Sequence, residues 1–404
     1  MPDDGLGLLT GPRVEPLLRA AVEHQGGQLL SWAIEHVDAA PEHSTTATYL
    51  ATVAWPHGER TELLGVSART GPLLPSDARA EIFEDGHRRV AVWLYPHDPD
   101  LAGLPRAAFP ERMAETLNAG GVASRRVSAE DLTLTMVGYR PRRRAVVKVA
   151  IAGGEVFFVK VLRERMFADV HAKHVMLRRA GVPAPEVALA TEDHLLVLRE
   201  LPGTSLATAL FDAGDPCSPE QLIDLLDTMP PSVASLERRP PWADAVGHYS
   251  AMVAATLPEL GEELEELVGR ITTGLAGFAP GDEPTHGDFH EGQIRVADGR
   301  VVGLLDVDTI GPGRRADDLA CLIGHLSTIQ RMNPAQAAKV RDLLARWVPV
   351  FDRRVDPVEL RLRAAAVVIS LATGPYRSQD VDWRQQTVAM VRSAGALVRQ
   401  VSAR

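Results

Sequence analysis

Two short segments near residue 300 have the residue types and the spacing of a phosphoryl-transfer site. Residues 285–293 read THGDFHEGQ, and residues 303–308 read GLLDVD. In protein-kinase-like enzymes one Asp addresses the acceptor hydroxyl, while an amide five residues later and an Asp after the next hairpin hold the Mg²⁺ ions that bridge the ATP phosphates. Asp288, Gln293 and Asp306 stand at these positions. The pattern therefore predicts transfer of a phosphoryl group from a nucleotide to a small molecule.

At these residues the chain resembles the aminoglycoside phosphotransferase and choline kinase family. The family signature is His-Gly-Asp-x-His-x-Gly-Asn, then an apolar strand, then Asp-x-Asp or Asp-x-Glu. Asp288 matches its catalytic Asp, and Asp306 matches its metal-binding Asp. Gln293 stands where most members have Asn, and here the chain is similar to the maltokinase-type branch, which phosphorylates sugars. The resemblance extends over roughly residues 125 to 400.

The resemblance implies ATP and Mg²⁺ as cofactors. Gln293 and Asp306 are then metal ligands, with Asp308 as a further ligand, because Mg²⁺ takes few carboxylates plus phosphate oxygens. Alternatively, Asp308 caps the turn that follows it. The pattern His-x-Asp-x-His is also compatible with a zinc site, since imidazole and carboxylate ligate zinc, and His325 is the further histidine nearby.

Lys160 is the predicted contact to the nucleotide phosphates. It lies in the apolar run VFFVKVL at residues 156–162, which predicts a strand. A buried Lys needs an anionic partner, and the ATP phosphates supply one; the alternative is an edge-strand Lys whose amine reaches water. Asp169, in the helix predicted at 167–180, is the candidate ion-pair partner.

Other nucleotide contacts are predicted from position. Glu200 and Leu201 follow a predicted strand and precede Gly203, as a hinge between two lobes would, so they are candidates to bind the adenine edge. A glycine-rich phosphate loop is absent from the sequence, and the basic turn at 138–144 occupies its place. Arg142, or Arg143 beside it, is therefore the candidate phosphate contact.

The acceptor site is the part least defined by the sequence. His290 of the motif, and Tyr376 and Arg377 in the polar-aromatic break between C-terminal helices, are candidates to line it, although a packing role is the alternative for the last two. The acidic helix at 259–266 is either a solvated face or a surface for a cationic substrate.

The elements that must position these residues predict an α+β class. The expected architecture is a protein-kinase-like bilobal fold, with a β-rich N-lobe, a helical C-lobe and an extra small α/β N-terminal unit. The Pro- and Asp-rich segment 96–110 is predicted as a linker or wrapping loop. The predicted domains are a cap-like unit at 1–120, a nucleotide-binding N-lobe at 121–201 and a helical C-lobe with the catalytic and substrate site at 202–404.

Composition excludes several other classes. The net charge of −10 argues against nucleic acid as a partner. The longest apolar run, 364–372, is too short to span a bilayer, and two cysteines do not make a disulfide framework. We expect a cytoplasmic protein, monomeric or homodimeric, that binds neither nucleic acid nor membrane.

Three functional hypotheses follow. The first is a kinase for an aminoglycoside-like or other cationic acceptor, and the second is a sugar or amino-sugar kinase, favoured by Gln293 and by the N-terminal unit. The third is a nucleotide-binding regulatory protein without turnover, favoured by the missing glycine-rich loop. Asp288 and Asp306 argue against the third. In the first two, the partner is a small molecule with a free hydroxyl: an antibiotic, a sugar or an amino alcohol.

Overall fold

The chain forms two compact units. The computed structural model describes residues 5–40, 43–71, 74–85, 88–212, 214–329 and 334–402. The first unit comprises Met1–His171, Val187–Glu200 and Arg377–Asp380, and the second comprises Ala172–Glu186, Leu201–Tyr376 and Val381–Arg404. Within the described ranges, the helices are all too short or too polar to cross a membrane.

The first unit contains two five-stranded antiparallel sheets. The sheet nearer the N-terminus has the strand order β1-β2-β3-β5-β4. Its strands are β1 (Gln28–Ala40), β2 (Ser44–Trp55), β3 (Gly58–Thr70), β4 (Glu81–Asp85) and β5 (Arg88–Leu94), and two helices precede them, α1 (Leu6–Leu9) and α2 (Glu15–His24). Helix α2 covers the sheet, because its Leu18 and Val22 share a buried apolar core with Val53 and Val66.

The second sheet has the order β6-β7-β8-β10-β9. Its elements are α3 (Leu104–Ala108), α4 (Pro110–Ala119), β6 (Leu132–Arg140), β7 (Arg144–Ile151), β8 (Val156–Leu162), α5 (Glu164–Arg179), β9 (Val187–Ala190) and β10 (Leu195–Arg199). Side chains alternate between the two faces of a strand. One face, with Val147 and Val159, packs on Leu117 of α4. The other face, with Leu196, packs on Val170 of α5.

The second unit is mainly helical. Its helices are α6 (Leu206–Ala209), α7 (Pro219–Asp227), α8 (Val246–Thr256), α9 (Gly261–Leu275), α10 (Arg315–Ile329), α11 (Pro334–Phe351), α12 (Pro357–Leu371), α13 (Gly374–Arg377, which ends in the first unit) and α14 (Trp383–Ser402). Its short strands are β11 (Thr204–Ser205), β12 (Glu283–Thr285), β13 (Ile294–Ala297), β14 (Arg300–Leu304) and β15 (Gly311–Gly313). The centre of its core is α12, whose residues 359–370 are all buried.

The predicted α+β class is confirmed, with a β-rich part followed by a helical part. Two local predictions were incomplete. Strand β1 was not predicted, because register shifts near Leu29 and Ile34 interrupt its alternation. Part of the segment predicted as a linker is helix α3, whose Pro105 stands in the first turn, where proline is compatible with a helix. The predicted domain boundaries at residues 120 and 201 stay a prediction.

Candidate active site

The motif that carries Asp288 forms a loop between strands β12 and β13. Strand β12 leads into it and pairs with β15, and the hairpin β13–β14 follows it. Gly287, in this loop, has φ +80°, and a Cβ on it would lie 2.7 Å from the carbonyl oxygen of Thr309. Glycine is therefore required one residue before Asp288 for the loop to close against Thr309.

Buried hydrogen bonds fix this loop from below. Asp318, fully buried in α10, accepts the backbone N–H groups of His286 at 3.0 Å and of Gly287 at 2.8 Å. Arg315 lies 3.4 Å from the same carboxylate, and its charge offsets the cost of burying it. His286 contacts the carbonyl oxygen of Leu305 through Nε2 at 2.9 Å. The loop is thus braced by the carboxylate of Asp318 and the imidazole of His286.

Asp288 projects from this braced loop and remains partly accessible. Its side chain is 24% exposed, and Nε2 of His290 lies 4.0 Å from its Oδ2. The buried thiol of Cys321 lies 4.0 Å from the other carboxylate oxygen. A partly accessible carboxylate on a rigid loop can accept a hydrogen bond from a hydroxyl and orient it.

Two histidines stack beside Asp288. The rings of His290 and His325 lie 4.2 Å apart and 7° from parallel. Burial lowers the pKa of His290, and the neighbouring His325 lowers it further, against the carboxylates of Asp288 and Glu291. Burial raises the pKa of Glu291, but the imidazole of His325, 3.8 Å away, and that of His290 outweigh it and hold that pKa below its usual value. Sequence reasoning predicted His290 and missed the role of Glu291.

The hydrogen bonds of His290 determine how Gln293 is oriented. Nδ1 of His290 accepts the N–H of Gly292 at 3.1 Å. The side-chain nitrogen of Gln293 lies 3.1 Å from Nε2 of the same ring. The amide oxygen of Gln293 is the atom of this side chain that can ligate a cation. The backbone carbonyl of Gln293 also accepts the N–H of Leu305 at 2.7 Å, which places Gln293 next to the end of β14.

Asp306 and Asp308 follow β14 directly. Asp306 has φ 52° and ψ 56°, a left-handed conformation that costs free energy for a non-glycine residue and recurs at functional sites. Asp308 is buried, and its carbonyl oxygen accepts a hydrogen bond from Nζ of Lys173 at 2.9 Å. Sequence reasoning did not identify Lys173 as a residue that fixes this turn. The small number of lysines could have pointed to it, since the chain has only four.

The donors in this unit fit a hard divalent cation. Asp306, Asp308 and Gln293 supply carboxylate and amide oxygens, the ligand types that Mg²⁺ takes. The structure also brings together the residues of the predicted zinc site. Asp288, His290 and His325 each have one ligand atom within 4.8 Å of those of the other two. The metal roles of Asp306, Asp308 and Gln293 stay a prediction.

Lys160 and Asp169 lie in the first unit. Lys160 is 4% exposed, stands opposite Val146 of β7 and Leu196 of β10, and shares its sheet face with the apolar cluster under α5. Asp169 is an exposed residue of α5. Both take part in polar or electrostatic interactions. Lys160 is thus a buried cation, as the apolar run predicted, and its pairing with Asp169 stays a prediction.

Arg142 occupies a buried ion-pair cluster. Its guanidinium pairs with Asp77 and lies 3.2 Å from Asp100, and its backbone N–H donates to Asp98 at 2.7 Å. The side chain also lies over the ring of Trp93, 5.2 Å from its centre. Two carboxylates already neutralise this charge, which argues against a phosphate ligand at Arg142. Sequence reasoning placed the residue correctly in the turn, but its partners come from distant segments.

The predicted hinge residues end one unit and begin the other. The N–H of Glu200 donates to the carbonyl oxygen of Val156 at 3.3 Å, which extends the sheet contact by one residue. The carbonyl oxygen of Leu201 lies 3.4 Å from the guanidinium of Arg295 in the second unit. Their adenine contact stays a prediction.

The predicted acceptor residues Tyr376 and Arg377 have different surroundings. Tyr376 makes an edge contact with the ring of Trp383 at 4.9 Å, a packing role in the second unit. Arg377 belongs to the first unit, where its guanidinium lies 3.1 Å from Asp38 of β1. Their role in the acceptor site stays a prediction.

A cavity of about 310 Å³ lies beside the catalytic loop. Its lining includes Trp242, Tyr249, Thr285, Gly287, Thr309 and Asp317. The rings of Trp242 and Tyr249 lie 5.7 Å apart. Among the described lining residues Asp317 is the single carboxylate, and Arg363 pairs with it at 2.6 Å. Burial raises the pKa of Asp317 to about 6 in spite of that arginine.

Solved structures similar to this chain include an aminoglycoside phosphotransferase and a choline kinase. The apo form of a thermostable mutant of the aminoglycoside phosphotransferase APH(4)-Ia is 14% identical, with a TM-score of 0.46, and the match covers 67% of this chain and 95% of that one. A choline kinase from Cryptosporidium parvum Iowa II is 9% identical, with a TM-score of 0.46, over 72% of this chain and 96% of that one.

A sequence relative was also found. An uncharacterized protein of Deinococcus radiodurans is 43% identical over 65 residues, which are 16% of this chain. The match spans 19% of that relative's own length.

The profile of the family described as "Phosphotransferase enzyme family" (APH) matches residues 136–354. This region contains the catalytic loop, the strand that carries Lys160 and the turn that carries Asp306 and Asp308. It amounts to more than half of the 404 residues. The family predicted from the sequence is thereby confirmed: the chain belongs to the phosphotransferase enzyme family.

Proposed function

We propose that the protein is an ATP-dependent kinase that transfers the γ-phosphoryl group to a hydroxyl of a small molecule. One observation carries the proposal. Asp288 projects, partly accessible, from a loop that Asp318 holds by two backbone N–H groups, and Asp306 follows the adjoining strand in a left-handed conformation. A structural loop has no need for this combination of rigidity, exposure and backbone strain.

In the proposed reaction, Asp288 accepts a hydrogen bond from the acceptor hydroxyl and aligns its oxygen with the γ-phosphorus. The bond from this oxygen to phosphorus forms as the bond from phosphorus to the β–γ bridging oxygen breaks. The hydroxyl proton passes to the Asp288 carboxylate and then to water, and ADP leaves. This role consists mostly of positioning, because in a loose transition state the acceptor hydroxyl keeps its proton until late in the reaction.

Asp306, Asp308 and Gln293 would hold Mg²⁺, which neutralises the charge that develops on the phosphate oxygens. The ring of His290 holds the Gln293 amide, and Lys173 donates to the carbonyl oxygen of Asp308 and so fixes that turn. We propose Lys160 as the phosphate contact of the first unit, with the backbone of Glu200 and Leu201 at the adenine. Because ATP is a cytoplasmic metabolite, we place the proposed reaction in the cytoplasm.

The cavity beside the loop supports a sugar or amino sugar as the acceptor more than a polycationic antibiotic. Trp242 and Tyr249 offer aromatic faces for a sugar ring, and Thr285 and Thr309 offer hydroxyls. A polycation would need several unpaired carboxylates, whereas Asp317 is paired with Arg363. The volume of about 310 Å³ is at the lower end of ligand pockets, enough for one or two sugar rings.

The test is Mg²⁺-dependent release of ADP by the purified protein. The acceptor panel holds hexoses, amino sugars, maltose, aminoglycosides, macrolides and choline-like alcohols. Asp288→Asn is the catalytic variant, and Asp282→Asn, an exposed carboxylate in the same segment, is its matched control.

Turnover with a sugar that the Asp288 variant loses and the Asp282 variant keeps would support the whole proposal. Turnover with an aminoglycoside alone would support the kinase and overturn the sugar assignment. ATP binding without turnover on any acceptor would favour the non-catalytic hypothesis, and absence of ATP binding would overturn the kinase assignment.

A further inference from the structure

Four cationic side chains lie on one face of the second sheet. Arg140 of β6 stands directly opposite Arg144 of β7, and Lys160 of β8 stands opposite Val146 of β7. Because side chains alternate along a strand, Arg144, Val146 and Lys148 share a face, and their cross-strand partners share it with them. The residues of β7 on the other face are buried in the apolar core under α4.

Two further arginines reach the same end of this sheet and meet at Asp38 of β1. Nη1 of Arg143 lies 2.9 Å from one oxygen of Asp38, and Nη2 of Arg377 lies 3.1 Å from the other. One carboxylate is therefore shared between two guanidinium groups from distant parts of the sequence. Since Arg143 lies in the turn that joins Arg140 to Arg144, this ion pair adds to the same cationic surface.

The arginines of this surface act on one another. Partial burial lowers the pKa of Arg140, and Arg144, Arg377 and Arg143 lower it further. Arg163, next to the end of β8, has its pKa lowered by burial and then by Arg165 and Arg143. Such repulsion is relieved when an anion binds.

The carboxylates near this surface are either paired with Arg142 or shared between two arginines. Asp77 and Asp100 pair with Arg142, and Asp38 is shared by Arg143 and Arg377. Nε of Arg163 and Nε of Arg377 are both buried, and neither has a hydrogen-bond partner among the described residues. These donors are oriented within a cationic surface that a multivalent anion would satisfy.

We propose that the arginine cluster, defined as Arg140, Arg143, Arg144, Arg163 and Arg377, binds the polyphosphate chain of the nucleotide in place of a glycine-rich loop. The proposal rests on the proposed kinase function. Guanidinium groups bind phosphate oxygens through two parallel hydrogen bonds and stay charged at all working pH values. Lys160 lies on the same face of the sheet and is buried. Asp38 of the N-terminal sheet is a positioning residue for Arg143 and Arg377.

The experiment measures binding of inorganic tripolyphosphate, ATP, ADP, AMP and adenosine by calorimetry, with and without Mg²⁺. The variants are Arg144→Gln and Arg377→Gln, with Arg144→Lys as the charge-keeping variant and Arg60→Gln, an exposed arginine of β3, as the matched control. Thermal unfolding of each variant checks that it is folded.

The expected result is that each glutamine variant binds tripolyphosphate and ATP about tenfold more weakly, from the loss of a charge-assisted hydrogen bond. The loss should shrink from ATP to AMP and vanish for adenosine, the lysine variant should recover part of it, and the control should bind as the wild type does. Salt should weaken tripolyphosphate binding in the wild type more than in the variants.

Two outcomes would overturn the arginine cluster as the phosphate site and leave the proposed function intact, and a third would overturn both. If folded glutamine variants bind ATP as tightly as the wild type and turn over normally, the phosphates lie elsewhere. If tripolyphosphate binds but does not compete with ATP, the cluster binds anions and is not the nucleotide site. If the wild type binds neither ATP nor tripolyphosphate, both the site and the kinase assignment fail.

Discussion

The segment 285–309 contains the loop of Asp288 and the turn of Asp306, and the basic turn lies at 140–144. Both regions carry charged side chains next to strand ends, but they are held in different ways. The loop is held by partners nearby in sequence: Asp318 lies 32 residues from His286, and Leu305 lies 19 residues from it. The turn is held by ion pairs to residues much farther away, with Asp77 65 residues from Arg142 and Asp38 105 residues from Arg143.

This difference explains what each region does with its charge. In the loop, a buried carboxylate binds backbone N–H groups, and the side chain of Asp288 is left partly accessible for chemistry. In the turn, Arg142 is buried in an ion pair with Asp77, while the side chain of its neighbour Arg143 remains about half exposed. Adjacent residues of one type can therefore differ in role, and only their distant partners decide which is which.

The largest effect is expected for Asp288→Asn. The amide keeps the size of the side chain but cannot take up the hydroxyl proton, so turnover should fall by about a thousandfold. Nucleotide affinity and unfolding temperature should stay near the wild-type values, because the hydrogen bonds that brace the loop come from Asp318 and His286. Steady-state kinetics with the best acceptor, alongside calorimetry with ATP, makes the measurement. Residual turnover within tenfold of wild type would remove Asp288 from the reaction.

Asp318→Ala should damage the loop through stability. It removes the acceptor for the N–H groups of His286 and Gly287 and leaves the buried charge of Arg315 with less compensation. The free energy of unfolding should fall by about 4 kcal/mol. Urea denaturation measures the change, and turnover per folded molecule should fall with it. A stable variant with normal turnover would show that the loop holds its shape by other means.

Arg142→Gln and Arg143→Gln form a matched pair of neighbours. The first should lower the free energy of unfolding by about 3 kcal/mol, because it leaves the carboxylate of Asp77 buried and unpaired. The second should cost less than about 1 kcal/mol, since its pair with Asp38 is half exposed.

Affinity should show the opposite order. Arg143→Gln should weaken tripolyphosphate binding about tenfold, while Arg142→Gln, where folded, should leave it nearly unchanged. Urea denaturation and calorimetry on the same preparations decide the point. If both variants lose stability equally, or if Arg142→Gln alone loses affinity, the division of roles between the two arginines is wrong.

The sequence was most informative where structure is local. The spacing of Asp288, Gln293 and Asp306 predicted a catalytic loop and a neighbouring metal turn, and the family to which they point is confirmed. Strand β8 was predicted with its observed bounds, because an apolar run between a Gly-Gly turn and a helix leaves little choice of ends.

Long-range pairing is where sequence reasoning failed. Arg142 and Arg143 are neighbours of the same residue type in a basic turn, so the sequence cannot distinguish them. Their partners come from distant segments: Asp77 and Asp100 for Arg142, and Asp38 of β1 for Arg143. The stacking of His325 on His290 depends on how α10 packs against the loop, which no spacing reveals. Tyr376 and Arg377 are consecutive, yet one packs on Trp383 and the other pairs with Asp38, because the chain passes from one unit to the other between them.

The smallest predicted effect concerns pH and the carboxyl of Asp317. Burial raises its pKa to about 6 from an ordinary value of 3.8, so the folded chain binds a proton there more readily than the unfolded chain does. The stability that this proton contributes is present below pH 4 and is lost as pH rises through about 6. The side chain of Asn does not titrate in this range. The free energy of unfolding of Asp317→Asn should therefore rise relative to that of the wild type by about 2 kcal/mol between pH 4 and pH 7.

Urea denaturation of both proteins across that range gives the difference in the free energy of unfolding at each pH. A constant offset is expected in addition, because Arg363 loses one partner and keeps Glu359 at 2.8 Å. Curves that stay parallel from pH 4 to pH 7 would mean that Arg363 holds the carboxylate ionised in the fold. The cavity beside the loop would then be lined by a charged pair, Asp317 with Arg363, much as the basic turn holds the charged pair of Arg142 with Asp77.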